Sequence, residues 1–218
     1  DPPVVPRPAR EGQSVIDEPV MYLVVHQLHD ASLDELLVSA AGAVRRVLLT
    51  MPGDHADAWR AGLYRKVTLR ADDKAWATLD GIPHCEGDNI VRVFPPMPRG
   101  ARPKALARLQ TYNATAEELH TQPERKGHPW AVTIVVNDDV PQSVGKLVAQ
   151  VGHAAMFAVE RYVSDAWRET DYAFALLHAS GEAWAEFRAW ECAVVTDAGL
   201  TEVAGGSETC LVLPPVTR

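Results

Sequence analysis

Apolar positions along this chain fall into two kinds of run, and each predicts its own element. Residues 20–26, 130–136, 172–178, 192–196 and 209–213 are short and mostly apolar, which fits strands buried in a sheet. Residues 64–70 alternate like a half-buried strand, and 90–94 read as another, closed by Pro95 and Pro96. Two longer stretches instead repeat at helical spacing. Leu33, Leu36, Leu37, Ala40, Val44, Val47 and Leu48 follow Ser32 and predict a helix over 32–50. Leu147, Val148, Val151, Ala155, Ala158 and Val159 follow Ser143 and predict a second over 143–163. Either serine can cap its first turn, because its hydroxyl accepts one of the orphan N–H groups there. Shorter helices are expected around Trp59, over 72–79 and over 182–190.

The element succession occurs twice. Ser32-Leu33-Asp34-Glu35-Leu36-Leu37 aligns with Ser143-Val144-Gly145-Lys146-Leu147-Val148 at an offset of 111. Trp59-Arg60, Tyr64 and Ala75-Trp76-Ala77 align with Trp167-Arg168, Tyr172 and Ala183-Trp184-Ala185 at 108, and Pro95-Pro96 with Pro214-Pro215 at 119. Three coincidences in order over one succession of elements point to a repeat. The tryptophans are then most simply core or interface residues. The predicted fold class is α/β: a tandem pair of small α/β/α lobes, each a mixed four-stranded sheet flanked by helices, forming a pseudo-dimer through helices or sheet edges. The expected divisions are a disordered arm at 1–18, a first lobe at 19–97, a basic connector at 98–128 and a second lobe at 129–218. Within the connector, 104 to about 120 is helix-permissive.

Composition narrows the function. The chain has 218 residues, 47% of them hydrophobic, enough for a sizeable core. A formal charge of −8 argues against a surface that traps nucleic acid over its whole area. Cys85, Cys192 and Cys210 are far apart and suggest neither a disulfide framework nor a zinc site. His26 and His29 have no further ligands in view, so no metal is expected, and no cofactor. No apolar run is long enough for a membrane span, and the expected location is cytoplasmic.

Lys146, Gln150 and His153 stand at i, i+4 and i+7 on one helix face, where the first half has Glu35, Ser39 and Gly42. Spacing alone favours a solvated helix face. Asp197-Ala198-Gly199-Leu200-Thr201 is a glycine-containing turn, ordinary by itself, able to expose a carboxylate in a cleft. The segment from Asp197 to Ser207 has no counterpart in the first half. Any chemistry therefore sits in the second copy. Lys146 near a helix N-terminus adds its charge to the positive end of the dipole, and the combination suits an oxyanion or a phosphate.

GKLVAQVGHA after a strand and an acidic loop, followed by DAGLTEVAGGSET and a terminal apolar strand, resembles the type-2 peptidyl-tRNA hydrolase family over about residues 130–215; the first half resembles a degenerate copy. The resemblance implies a mixed four-stranded sheet with flanking helices, and hydrolysis of the ester joining a peptide to tRNA. It further implies Lys146, Asp197, Thr201 and His153 as catalytic residues. Gln150, Thr209 and Ser207 would bind substrate. Which of Lys146, Asp197 and Thr201 serves as base and which as oxyanion donor stays open at this level. Peptidyl-tRNA is the implied partner, no membrane is involved, and a homodimer beyond the intrachain pseudo-dimer is left open.

Charge pulls the other way. Residues 129–218 carry five Lys+Arg against 12 Asp+Glu, whereas phosphate binding grows with the number of cations presented. Arg99, Arg102, Lys104, Arg108, Arg125 and Lys126 of the connector, with Arg45, Arg46, Arg60, Arg65, Lys66 and Arg70 of the first half, are the candidates to supply them. The alternative reading is a non-catalytic member of the fold acting as a protein-binding module. A weaker option is hydrolysis of a smaller acyl ester.

Overall fold

The computed structural model describes residues 17–27, 31–115 and 130–215. The expectations for most of the 1–18 arm, for His29, Arg125 and Lys126, and for the later part of the connector lie outside them.

The first sheet contains β1 (Pro19–His26), β2 (Lys66–Ala71), β3 (Cys85–Gly87), β4 (Val91–Pro98) and β5 (Gln110–Thr111), ordered β3-β4-β1-β2-β5. The second contains β6 (Val132–Asn137), β7 (Phe174–Ala179), β8 (Ala193–Thr196) and β9 (Glu208–Leu213), ordered β7-β6-β9-β8. In each, the first strand of the lobe is central. It pairs in parallel with the next strand and antiparallel with the last. The repeat read from sequence is thus a repeat of topology. One strand exceeds expectation: β5, from the connector, adds to the edge of the first sheet and makes it five-stranded.

The long helices α1 (Leu33–Thr50) and α5 (Val144–Arg161) begin at Ser32 and Ser143, whose hydroxyls accept from the N–H groups of Glu35 and Lys146. The two helices pack against each other and form one layer between the sheets. Both are rich in small residues, with Ala40, Ala41, Ala43, Ala154, Ala155 and Ala158 fully buried. One continuous core runs from Met21 and Leu23 of β1 through both helices to Ile134, Val136 and Val212 of the second sheet. α3 (Asp73–Ala77) and α4 (Lys104–Ala107) contribute to a smaller cluster on the outer face of the first sheet. α7 (Gly181–Arg188) does the same on the second.

α2 (Ala56–Ala61) and α6 (Asp165–Glu169) repeat to the level of single bonds. Trp59 Nε1 donates to the Arg65 carbonyl at 2.8 Å, and Trp167 Nε1 to the Ala173 carbonyl at 2.7 Å. Each indole meets an edge-on tyrosine, Tyr64 or Tyr172, that sits at positive φ. Both indoles are buried with their N–H groups satisfied, as buried tryptophan requires.

The connector departs from the expected long helix. After Pro103 the chain makes the single turn of α4, then extends as β5 because pairing with the free edge of β2 satisfies its backbone. Residues 112–115 continue across the start of α5. The Ala114 carbonyl accepts from the Val144 N–H at 2.9 Å, and Thr68 Oγ1 donates to the Gly145 carbonyl at 2.7 Å. A Cβ on residue 145 would overlap the Tyr112 carbonyl oxygen, so only glycine permits this crossing. Gly145→Ala should therefore cost on the order of 2 kcal/mol of stability through overpacking. Chemical denaturation checks this, with Gly81→Ala, where a Cβ meets open space, as the control.

Candidate active site between the lobes

A cleft of about 360 Å³ lies where the two lobes meet. The second lobe lines it with Lys146, Gln150 and His153 from α5 and with Asp197 and Thr201 from the turn after β8. The first lobe lines it with residues 63–68 around the start of β2, with Arg99, and with Thr111, Tyr112 and Asn113. Lys146 and Asp197, 51 residues apart in sequence, form an ion pair in which the carboxylate is almost fully buried and the ammonium is turned toward the opening. Lys146 Nζ also donates to Thr201 Oγ1 at 2.9 Å. Since that hydroxyl accepts from the lysine, its own proton is directed elsewhere, and Thr201 is exposed.

The carboxylate is held from three sides. Gln150 Nε2 donates to Asp197 Oδ2 at 2.6 Å, and the Gly199 N–H to Oδ1 at 2.8 Å. The turn is fixed in its place because the Asp197 N–H donates to the Ser207 carbonyl and the Asp197 carbonyl accepts from the Gly206 N–H. With Nε2 committed to a carboxylate, the Gln150 amide orientation is decided, and its Oε1 is buried without a partner among the described residues. Gln150 is itself buried, so it acts on Asp197 more than as an open substrate contact.

Two expected substrate-binding residues are not in the cleft. Thr209 is fully buried, and its hydroxyl donates to the Val195 carbonyl across β8 and β9 at 3.2 Å. Strand alternation explains this: Thr209 extends the strand, and its short side chain finds the neighbouring strand before it reaches the turn. Ser207 contributes its backbone, as the acceptor for Asp197, and its side chain does not line the opening. The start of α5 is also less open to anions than its sequence suggests, because Ala114 and Ser143 take two of its N–H groups.

His153 is half-buried, and its Nδ1 lies 3.0 Å from Nζ of Lys66, a first-lobe residue that the sequence marked only as one cation of a basic group. Burial, with the Lys66 and Lys146 cations beside it, holds the ring well below the ordinary histidine range. The one signal that could have found Lys66 is its departure from the repeat, since residue 174 at the matching place is Phe.

Residues 130–218 match the protein-family model described as Peptidyl-tRNA hydrolase PTH2. The match spans the second lobe. The match covers every α5 and turn residue of the cleft and none of those from the first lobe.

Comparison of the lobes shows how the two helix starts differ. In the first, Glu35 at the third helical position completes a capping box, accepting from the Ser32 N–H at 2.9 Å. In the second lobe that position is Lys146, and Glu202 from the additional turn accepts from the Ser143 N–H at 2.6 Å. In the second lobe the capping carboxylate comes from another segment, and the third position holds a cation. Ser39 donates to Asp88 at 3.0 Å where Gln150 donates to Asp197. There the first lobe closes, because Gly87 lets β3 come against the Ser39 backbone too tightly for any Cβ. Other acidic residues of the second lobe are also engaged: Glu208 with Arg188, Asp138 with His178, and Asp139 with the Gly181 N–H. Glu202→Ala should cost about 1 kcal/mol, as loss of an N-terminal cap does, and Glu35→Ala a similar amount. Urea unfolding of the two variants measures both.

Proposed function

We propose that the inter-lobe cleft hydrolyses the ester joining a peptide or a blocked aminoacyl group to tRNA. The observation that carries this reading is the Lys146–Asp197 pair, tied to Gln150 and Thr201 at the mouth of a cleft, in the part of the chain that matches the family. Ester hydrolysis needs an oriented water, an acceptor for its proton and donors aimed at the developing oxyanion. Asp197 is the acceptor. A water between it and the substrate adds to the ester carbonyl carbon, giving one proton to the carboxylate, while the carbonyl electron pair moves onto oxygen. The Lys146 ammonium and the Thr201 O–H, both turned to the opening, face that oxyanion. Collapse breaks the bond to the ribose oxygen, which takes the proton back from Asp197.

The first lobe supplies cations that the second lacks. Arg99 lines the cleft and is exposed, and Arg102, Lys104 and Arg108 follow it in the chain. Arg65 also lines it, paired with Glu18 at 2.5 Å. On this reading the first lobe, a degenerate copy of the second, is part of the platform for the tRNA backbone, and binding weakens steeply with salt.

Asp197→Asn and Lys146→Ala should each lower kcat about 10²- to 10³-fold on a blocked aminoacyl-tRNA, the scale expected for loss of a general base or an oxyanion donor. Release of the labelled blocked amino acid at two salt concentrations measures this. Full turnover by either variant would remove that residue from the mechanism, and a wild-type protein that binds tRNA without releasing the acyl group would leave only a binding module.

A further inference from the structure

We infer that Lys66, carried by the first lobe, is a positioning residue of the second lobe's site: its ammonium donates to His153 Nδ1 and holds the ring as the neutral Nε2–H tautomer, a hydrogen-bond donor toward substrate. The inference rests on the ester-hydrolysis reading of the cleft and adds a part that the family match does not reach, since Lys66 lies outside residues 130–218.

Four observations place the lysine there. Its Nζ is 3.0 Å from His153 Nδ1. The same ammonium stands 4.6 Å from the centre of the Trp59 ring, an arrangement that favours a cation. Its stem runs along α5 over Gly152, where a Cβ would meet Lys66 Cδ at 3.1 Å and Cε at 3.3 Å. Glycine inside an 18-residue helix costs up to about 1 kcal/mol relative to alanine, and here it makes the channel for that stem. Among the described residues no carboxylate lies within ion-pair distance of Lys66, so the imidazole nitrogen is its hydrogen-bonding partner.

The pair also departs from the repeat as a unit. Where the first lobe presents Lys66, the second has Phe174; where α5 has His153, α1 has Gly42. One member without the other would leave either a cation against a glycine or a histidine against a phenylalanine.

An ammonium donates only, so Nδ1 must be the unprotonated acceptor and the proton of a neutral ring sits on Nε2. Nε2 has no protein partner among the described residues, and His153 lines the cleft. The charges around the pair act in one direction on the ring. Burial, then Lys66 from β2 and Lys146 from α5, oppose a second proton on it. Burial also pulls Lys66 itself well below the ordinary lysine range, and Glu160 of α5, itself near Arg60 of α2, works against that in favour of the charge, as does the Trp59 face. His153 is thereby a donor of fixed direction rather than a shuttle for protons.

The test is ¹⁵N NMR of the full chain labelled in histidine, with His153→Gln assigning the resonance by difference. The expected spectrum has Nδ1 unprotonated and Nε2 protonated, unchanged between pH 8 and pH 6. In Lys66→Met, which keeps the stem, the ring should populate both tautomers and take up a proton at a higher pH than in the wild type, because one of the two opposing cations is gone while burial and Lys146 remain. Lys66→Arg, which keeps a donor, should restore the wild-type pattern. On a blocked aminoacyl-tRNA, kcat/KM should fall about tenfold in Lys66→Met, the scale of one hydrogen bond, and recover in Lys66→Arg. A wild-type ring with its proton on Nδ1, or a Lys66→Met protein with spectrum and turnover both unchanged, overturns the inference. If the wild type hydrolyses no ester, the function reading falls and the spectra still decide the tautomer.

Discussion

Packing of α1 against α5 in one shared core is the constraint on which the rest of this molecule depends. One core runs through both helices and spans the two sheets, and Gly152 of α5 leaves room for Val44 of α1 and the Lys66 stem. That packing brings the edge of the first sheet onto the start of α5. Thr68 then reaches the Gly145 carbonyl, the 112–115 segment crosses the helix N-terminus, and Lys66 passes over Gly152. The cleft is therefore a product of lobe packing, and neither lobe encloses it alone.

Within that frame the two lobes use one scaffold differently. A capping box at the start of a helix needs a carboxylate at its third position, which is where the second lobe has a cation. The conflict is resolved by transferring the capping role to Glu202, in a turn the first lobe does not possess. The same turn carries Asp197 and Thr201, so one additional segment both frees Lys146 and supplies its partners. The first lobe has the other arrangement, with Glu35 on its own helix's cap and Ser39 against Asp88 under a closed surface.

Electrostatics explain why an acidic half can still present a cationic site. Net charge counts every carboxylate equally, but Glu202, Glu208, Asp138 and Asp139 are each engaged locally, and Asp197 is covered by its donors. Lys146 and Lys66 reach the cleft from opposite lobes, and Arg99 stands at its border. Field at a site is set by which charges face it and how much water separates them, and the sum over the lobe is a poor guide to it.

Much of the fold was legible in the sequence, since periodicity reports burial and both long helices and the central strands are buried on regular faces. The serine caps, the order of elements and the equivalence of Trp59 with Trp167 followed from local pattern, as did the grouping of Lys146, Gln150 and His153 on one helix face. Short elements were not legible: β3 and β5 are three and two residues long, and they extend only because a neighbouring strand offers an edge. Tertiary structure alone decided that Asp197 meets Lys146, that Thr209 turns into the sheet, and that Glu202 takes a cap from another segment. It also brought Lys66 to His153 across 87 residues of chain. A sequence states what each residue can donate, accept or bury; which partners lie within 3 Å is fixed only when distant segments share one core.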